Sequence, residues 1–480
     1  MIQFKKNQFP RHIFRAYDIR GNLSDLTQSV ITAIGHAFVE KLHQADINHI
    51  VLGYDARLTS PTYAKIIETI LIKHHIQVTV LGCCSTPVMY FSAQKYANGT
   101  GIMLTASHNA KEDNGIKWLW KFQPPSPDDI QEIATLAEQY IESHTQPLTI
   151  ASEIPHCIYG HISKLYVDYL IQDVTLNKPL KIALDGLYGS AGKYAKYVFR
   201  ELGCEVIDLR CDANGHFPEH APDPSKEANL TLLKHAIRDH HADVGIALDG
   251  DGDRLVLLDE HAQVISPDRL ICLLAKICLE RKPNSEVVFD VKCSGLVAKT
   301  IHDLDGSPVM LRTGSTFLRK YLMQSNGKAV FGGEYAGHYV FNDGRGLGYD
   351  DGIYAALRIL EYFTMTANHK FSELFIDYPE RYFSEDTYIY TTQYKPLDIL
   401  SFFDKKMQKQ LYQIIRVDGI RVEYPEGSGV LRASNTGDYL TVRFDAESLE
   451  AFIDIRNQFA SVLMEKYPEI ATEMMQIVLS

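Results

Sequence analysis

Three segments of this chain share one arrangement, which constrains the possible fold more than any other feature of the sequence. In each, an apolar run ends at an acid, and a second apolar run leads into an unusual polar loop. The acids are Asp55, Asp185 and Asp290, and the loops are residues 105–109, 249–254 and 332–338. Helical patterns lie between the runs, for example at residues 62–73 and 230–240. Alternating strands and helices predict parallel β-sheets, with ligands bound beyond the carboxyl ends of the strands. Three such loops are expected to face one cleft, although convergence among α/β folds would also explain the repeat.

The length and the last part of the chain add to this prediction. A chain of 480 residues is too long for one hydrophobic core and predicts three or four domains. From about Phe371 the pattern changes, with β-rich stretches such as 387–390 and 439–444 and a long amphipathic stretch at 447–465. The last hundred or so residues are therefore expected to form a domain of a different type.

Charge and composition exclude several classes of partner. The net charge of −12 argues against nucleic acid or an anionic membrane as the main partner, so an anion site must be a local positive pocket. No apolar run approaches membrane-spanning length, and no apolar signal core follows residues 1–6. Eight cysteines without a CxxC pair indicate a reduced chain, which we expect to be cytoplasmic.

Residues 249–254 carry the most specific chemistry. Asp249, Asp251 and Asp253 alternate with glycines at the end of an apolar run and would repel one another without a cation. All-oxygen ligands suit Mg²⁺ or Ca²⁺, and Arg254 directly after them suggests a ligand anion between the arginine and the cation. A calcium EF-hand is disfavoured because Arg254 stands at its glycine position and the flanks look like strands. A solvated acidic turn is the other alternative.

Ser107 is the candidate nucleophile. It follows an apolar run directly and is accompanied by His108, Asn109 and, further on, Lys117. A serine in such a turn is usually a cap or turn residue. A metal loop and an arginine, together with the Arg- and Ser-containing loop 432–438 that is apt for an oxyanion, favour phosphoryl chemistry instead.

Seven motifs in order along the chain resemble those of the α-D-phosphohexomutase superfamily. They are residues 14–21, 105–109, 214–218 with 222–224, 249–254, 333–338, 349–354 and 432–436. The chain is most similar to the bacterial phosphomannomutase/phosphoglucomutase branch. The resemblance implies an α/β fold with three similar mixed-sheet α/β domains and a C-terminal α+β domain around one central cleft. The expected boundaries are 1–153 for the phosphoserine loop, 154–258 for the metal, 259–369 for sugar recognition and 370–480 for phosphate binding.

The resemblance also implies a Mg²⁺-dependent isomerase acting on hexose phosphates of mannose, glucose or both. Ser107 would carry a phosphoryl group and pass it to a hexose 1- or 6-phosphate, with hexose 1,6-bisphosphate as intermediate and activator. Asp249, Asp251 and Asp253 would hold Mg²⁺ against the phosphoserine. The expected protein is a monomer or homodimer.

The other site residues are carried over in the same way. Arg254 would steady the transferring group, while His108 and Lys117 would assist proton transfer or charge stabilisation. Substrate would be bound by Tyr17, Arg20, Lys292, Glu334, Ala336, His338, Arg432, Ser434, Asn435 and Thr436, of which the last four would hold the phosphate that is not reacting.

Several positions depart from the branch. Ala336 replaces a serine, Ser315 replaces a histidine after Thr-Gly, Gly295 replaces an arginine, and Gly437 follows where Thr-Pro is usual. These changes put the preferred sugar in doubt rather than the reaction. Phosphoglucosamine mutase is the main alternative because residues 113–117 resemble that branch, although Asn435 favours the mannose/glucose branch. A phosphoserine phosphohydrolase and a non-catalytic sugar-phosphate-binding protein are the alternatives from other classes.

Overall fold

The computed structural model describes residues 9–143, 160–408, 412–434 and 437–479. Within them, four β-sheets each have their own helices, and the chain divides into two compact units. One unit comprises Met1–Val264 with Tyr349–Phe371, and the other comprises Ile265–Gly348 with Ser372–Ser480.

The first sheet contains five strands in the spatial order β1-β5-β4-β2-β3. They are β1 (Ile19–Asn22), β2 (His49–Tyr54), β3 (Gln77–Cys83), β4 (Gly101–Leu104) and β5 (Asp113–Leu119). Its helices are α1 (Gln28–Gln44), α2 (Ser60–Lys73), α3 (Thr86–Tyr96) and α4 (Pro127–Ser143). The side chain of Thr27 caps α1, and the buried face of α1 packs on the sheet, where the ring of Phe38 meets that of Trp118 at 5.1 Å.

The second sheet has the spatial order β10-β9-β8-β6-β7. Its strands are β6 (Lys181–Asp185), β7 (Glu205–Leu209), β8 (Val244–Leu248), β9 (Leu255–Leu258) and β10 (Val264–Ile265). Its helices are α5 (Gly160–Asp173), α6 (Gly192–Glu201) and α7 (Thr231–His240). Because strands β8 and β9 flank residues 249–254, the EF-hand alternative is excluded: an EF-hand loop lies between two helices.

The third sheet has the spatial order β12-β11-β13-β14. Its strands are β11 (Glu286–Asp290), β12 (Ser307–Leu311), β13 (Ala329–Gly333) and β14 (Tyr339–Phe341). Its helices are α8 (Pro267–Arg281), α9 (Gly295–Asp303) and α10 (Ser315–Gln324), and α11 (Gly352–Met365) follows in the chain but packs on β8 and β9 of the second sheet.

These three sheets share one topology, which confirms the repeat predicted from the sequence. In each, a central strand (β2, β6 or β11) pairs in parallel with a strand on both sides, and one of those neighbours then pairs with an antiparallel strand. The acids Asp55, Asp185 and Asp290 stand at the ends of the three central strands. The polar loops follow β4, β8 and β13, so they occupy equivalent positions in the three sheets.

The fourth sheet is of another type, as the sequence predicted. It is antiparallel and contains β15 (Tyr382–Phe383), β16 (Thr387–Tyr390), β17 (Gln413–Ile415), β18 (Ile420–Tyr424), β19 (Gly427–Ala433) and β20 (Tyr439–Ala446). Helices α12 (Pro396–Met407), α13 (Leu449–Met464) and α14 (Pro468–Met475) accompany it, and Phe459 of α13 packs edge-on against Phe444 of β20. Among the described residues, we find no helix with the length and apolarity needed to span a bilayer.

Candidate active site

Ser107 occupies a constrained backbone position in the serine loop (residues 105–112), which joins β4 to β5. Its side chain is buried, and its φ of 52° lies in the left-handed region. A non-glycine residue held there costs about 1–3 kcal/mol, and such strain is commonly found at functional sites. The Ser107 N–H donates to Thr105 Oγ1 at 2.8 Å. The Ser107 hydroxyl donates to Asp249 Oδ2 at 2.5 Å, and His108 Nδ1 lies 3.1 Å from Ser107 Oγ.

The serine loop approaches the acidic loop (residues 249–254) so closely that only glycine fits at the contact. A Cβ on Gly250 would lie 2.4 Å from the carbonyl oxygen of Ser107. Gly250 O in turn accepts hydrogen bonds from the backbone N–H of Ser190 at 2.9 Å and from its hydroxyl at 3.1 Å. Any side chain at position 250 would push the serine away from the acids.

The acidic loop brings three buried carboxylates together. Asp249, Asp251 and Asp253 each offer an oxygen, and these oxygens lie within 4.8 Å of one another. Gly252 has a φ of 76°, which turns the backbone so that its N–H and that of Arg254 donate to Asp249 Oδ1 at 3.0 and 3.2 Å. The guanidinium of Arg254 reaches Asp249 Oδ2 at 4.0 Å. The predicted convergence of these side chains is therefore present.

Lys117 of β5 partly neutralises this charge. Its ammonium lies 2.8 Å from Asp251 Oδ2 and 2.5 Å from Asp253 Oδ2. Burial alone would lower the pKa of Lys117, but the two carboxylates raise it well above its ordinary value, so Lys117 is a cation. Burial and then the neighbouring carboxylates Asp251 and Asp253 raise the pKa of Asp249 well above its ordinary value, because three ionised carboxylates repel one another in a buried loop.

The residues present fit a hard divalent metal ion. The carboxylates supply only oxygen donors, which Mg²⁺ and Ca²⁺ prefer. Among the described residues, Oδ1 of Asp251 is buried and has no hydrogen-bond partner, a costly situation that coordination of a cation would resolve. The acidic cluster could therefore hold a metal ion.

Arg20 and Tyr17 lie near the serine loop. Arg20 is buried and pairs with Asp18 Oδ2 at 2.7 Å, and it donates to the side-chain oxygen of Asn109 at 2.9 Å. Tyr17, by contrast, is 40% exposed. Arg20 thus supports the loop next to Ser107, while the Tyr17 ring is open to solvent.

Two further side chains hold this site and were not singled out from the sequence. Thr86, the first residue of α3, bonds to Asp251 through both its hydroxyl and its N–H. The guanidinium of Arg57 donates hydrogen bonds to backbone carbonyls of the serine loop. The Asp-x-Arg spacing of Asp55 and Arg57 at the end of β2 could have indicated an ion pair, whereas no pattern distinguishes Thr86.

The other unit holds the residues expected to read the sugar. Glu334 and His338 are buried in a tight turn after β13, where Glu334 N–H donates to His338 O at 2.9 Å. The N–H of Tyr335 donates to Asp290 Oδ1 at 3.0 Å, so the strand-end acid anchors this turn. Ala336 is half-buried at the tip.

Lys292 and Arg432 supply positive charge in the same unit. Lys292 pairs with Asp386, and although burial opposes it, the charges of Asp386 and Asp290 raise the pKa of Lys292. Arg432, at the end of β19, pairs with Asp418 at 2.8 Å. Ser434 Oγ accepts the N–H of Gly437 at 3.1 Å, while Asn435 and Thr436 lie outside the described residues.

Two of the positions that depart from the expected pattern are Gly295 and Ser315. In the described part of the chain, nothing lies within 4 Å of a Cβ built on Gly295, the first residue of α9, so a side chain could begin there without a clash. Ser315 begins α10 and is partly exposed.

Comparison with known proteins identifies similarity along nearly the whole chain. Residues 11–144, 164–262 and 266–382 match the alpha/beta/alpha domains I, II and III of phosphoglucomutase/phosphomannomutase, and residues 397–462 match the C-terminal domain. A phosphoglucomutase of Neisseria meningitidis is 35% identical over 458 residues, covering 94% of this chain and 97% of that protein. A phosphomannomutase/phosphoglucomutase of Pseudomonas aeruginosa is 34% identical over 465 residues, covering 96% and 98%.

A solved structure shows the same fold. The crystal structure of a phosphoglucomutase/phosphomannomutase family protein from Burkholderia thailandensis superposes with a TM-score of 0.86 at 29% identity. The match covers 98% of this chain and 100% of the other.

Proposed function

This chain belongs to the phosphoglucomutase/phosphomannomutase family of isomerases, and we propose that it interconverts hexose 1-phosphate and hexose 6-phosphate through phosphorylated Ser107. The prediction of a phosphohexomutase is confirmed at the level of the family. The preferred sugar is mannose, glucose or both. The observation that carries the proposal is the 2.5 Å hydrogen bond from the Ser107 hydroxyl to Asp249 inside a cluster of three buried carboxylates.

The transfer is a simple exchange of phosphorus–oxygen bonds. The bond between phosphorus and Ser107 Oγ breaks, and a bond to the free hydroxyl of the sugar phosphate forms. The sugar hydroxyl loses its proton, and Ser107 Oγ takes one up. His108 Nδ1 is 3.1 Å from Ser107 Oγ and is placed to exchange that proton. The hexose 1,6-bisphosphate then returns its other phosphoryl group to Ser107 by the reverse step.

Charge stabilisation is assigned to residues whose geometry suits it. Asp249, Asp251 and Asp253 would hold Mg²⁺, which when bound supplies positive charge to the transferring phosphoryl oxygens. Lys117 adds a fixed cation because its pKa is raised well above its ordinary value. Arg254, adjoining the trio, is assigned to the transferring group.

Substrate binding completes the proposal. Glu334, with Ala336 and His338 in the same turn, would read the sugar hydroxyls, and Lys292 would meet a phosphate. Arg432 with Ser434, Asn435 and Thr436 would hold the phosphate that is not reacting, and Tyr17 and Arg20 would contact substrate near the serine loop. We keep the four domain boundaries 1–153, 154–258, 259–369 and 370–480 as part of the proposal. We also propose a cytoplasmic monomer or homodimer that acts on small molecules. The net charge of −12 disfavours nucleic acid and anionic membranes as partners.

Product analysis tests the proposal against its alternatives. The protein is incubated with Mg²⁺, glucose 1-phosphate and a trace of glucose 1,6-bisphosphate. Glucose 6-phosphate is expected, whereas free phosphate would indicate a phosphohydrolase and no product a binding protein. A comparison of kcat/KM for mannose, glucose and glucosamine 1-phosphates separates the proposed activity from a phosphoglucosamine mutase, for which the glucosamine substrate would be preferred.

A further inference from the structure

Arg57 is a buried arginine beneath the serine loop, and all five of its guanidinium N–H groups are used. Its side chain is only 1% exposed. Nε donates to Asp55 Oδ2 at 3.1 Å, and the remaining donors reach backbone carbonyls. Nη1 reaches Ala110 O at 2.5 Å and Asp113 O at 2.9 Å, while Nη2 reaches Ser107 O at 2.8 Å and Asn109 O at 2.7 Å.

Besides its ion pair with Asp55, Arg57 holds the backbone of the serine loop in place. Four carbonyls spread over residues 107–113 bond to one planar cation, which restrains the backbone of the loop. Asp55 orients the guanidinium because its Oδ1 also accepts the Arg57 N–H at 3.0 Å and the Ser60 hydroxyl at 2.7 Å. The Arg57 guanidinium also lies over the ring of Phe217, 5.5 Å from its centroid. Both an acid and an aromatic ring therefore contact the cation.

The contact with Ser107 matters most. Ser107 has a left-handed backbone, which a serine leaves readily unless its neighbours hold it. Its N–H is held by Thr105 and its carbonyl by Arg57. That carbonyl also lies where a side chain on residue 250 would collide with it, so a small shift of the serine loop would change the distance to the acidic loop.

We propose that Arg57 is a positioning residue for phosphoryl transfer. By binding the backbone carbonyls of the serine loop, Arg57 sets the distance between Ser107 and the acidic loop. The inference rests on the proposed function, in which Ser107 carries the phosphoryl group. Within the described residues, Arg57 forms no hydrogen bond or ion pair with the hydroxyl of Ser107 or with the carboxylates of the acidic loop. It therefore acts on the rate of transfer through the backbone and leaves the sugar-reading residues unchanged.

The second sheet offers a matched control. Asp185 and Arg210 form the equivalent buried pair at the end of β6, and Arg210 also donates to the carbonyl of Asn229. In the part of the chain that the structure describes, Arg210 bonds to Asp185, Glu219, His220 and Asn229 and not to the serine loop. Arg210→Lys therefore removes a buried guanidinium but leaves the hydrogen bonds from Arg57 to the serine loop intact.

The experiment compares Arg57→Lys, Arg210→Lys and wild type in the presence of Mg²⁺ and glucose 1,6-bisphosphate. Lysine keeps the charge but has only three donors on one atom, so it cannot span the four carbonyls. Arg57→Lys should lower kcat for glucose 1-phosphate about 10- to 100-fold, as small misplacements of reacting groups do. KM should change by less than about threefold, and the rate of Ser107 phosphorylation by glucose 1,6-bisphosphate should fall with kcat. Arg210→Lys should keep kcat within about threefold of wild type at a similar loss of melting temperature.

The outcomes separate the two levels of the account. A wild type without mutase turnover removes the proposed function and this inference together. If the wild type is active, two results overturn the role of Arg57 and leave the proposed function standing. One is an equal loss of kcat in both variants, and the other is an Arg57→Lys variant in which only KM changes. If Arg57→Lys does not fold, hydrogen exchange of the wild type decides. The amides of Ser107, Asn109 and Asp113 donate to Thr105 Oγ1, Ala106 O and Ala110 O, so they should be protected like those of β4 and β5. Exchange of these three amides at the rate of an open loop would contradict the clamp.

Discussion

Thr86 holds Asp251 by two hydrogen bonds, one from its side-chain hydroxyl and one from its backbone N–H. Its hydroxyl donates to Asp251 Oδ2 at 2.6 Å, and its backbone N–H donates to Asp251 O at 2.8 Å. Both residues are buried, so neither bond is exchanged with water. The first helical residue of α3 in the first sheet therefore orients the middle carboxylate of the acidic loop in the second.

Replacing the threonine hydroxyl should weaken the metal site without removing a ligand. Thr86→Val keeps the shape and the backbone bond but loses a hydrogen bond to a charged group, worth about 1.5–3 kcal/mol. The Mg²⁺ concentration for half-maximal activity should rise about 10-fold or more. Thr86→Ser, which keeps the hydroxyl, serves as the control and should resemble wild type. Equal Mg²⁺ dependence in the valine and serine variants would show that the bond does not orient Asp251.

The departures Ala336 and Ser315 predict a gain of function. The resemblance to the phosphomannomutase/phosphoglucomutase branch implies a hydroxyl and an imidazole at these positions, and a hydrogen bond contributes about 0.5–1.5 kcal/mol to a neutral partner and about 1.5–3 kcal/mol to a charged one. Both residues are partly exposed. Ala336→Ser combined with Ser315→His should raise kcat/KM for mannose 1-phosphate and glucose 1-phosphate, mostly through a lower KM. Phosphorylation of Ser107 should stay unchanged. A fall of kcat/KM for both sugars would mean that the chain has repacked around the smaller residues.

Asp351 predicts a pH dependence of stability. It caps α11 by accepting Tyr354 N–H at 3.0 Å, and it accepts the Tyr166 hydroxyl at 2.9 Å. Burial raises the pKa of Asp351 to about 7, against an ordinary value of 3.8, although both hydrogen bonds oppose the rise. Because the folded state favours the neutral carboxyl, this group destabilises the fold increasingly as pH rises from about 4 to about 7.

Asp351→Asn should remove that loss while keeping the cap, since asparagine is an equally good N-cap residue. A difference of one in pKa corresponds to about 1.4 kcal/mol, so the melting temperature of the variant relative to wild type should be about 2–6 °C higher at pH 8 than at pH 5. Thermal melting at the two pH values measures this. A difference that does not change with pH would show that Asp351 is charged throughout that range in the folded protein.

The sequence predicted the elements that depend on local pattern. Strand β8 before the acidic loop, helix α7 and the three equivalent central strands all follow from apolar runs and turn residues, and the structure confirms them. Ser107 and the trio Asp249, Asp251 and Asp253 could be chosen because unusual residue types stand at strand ends. Their meeting across 142 positions of sequence is a tertiary fact.

The residues that hold the site could not be predicted in this way. Thr86 looks like any threonine at a helix N-terminus, and its role arises only because α3 approaches the acidic loop. Arg57 acts on backbone carbonyls, which carry no residue-specific signal in the sequence. The left-handed backbone of Ser107 is likewise set by its surroundings, because nothing in the residues 105–109 requires it.

Phosphorylation of Ser107 is the most direct test of the account. The purified protein is treated with Mg²⁺ and glucose 1,6-bisphosphate, and the intact mass and the modified peptide are determined for wild type and Ser107→Ala. The account predicts one phosphoryl adduct on Ser107 in the wild type. The alanine variant should carry none, lose nearly all turnover and still bind sugar phosphate. An adduct on any other residue, or full turnover by Ser107→Ala, would contradict the account.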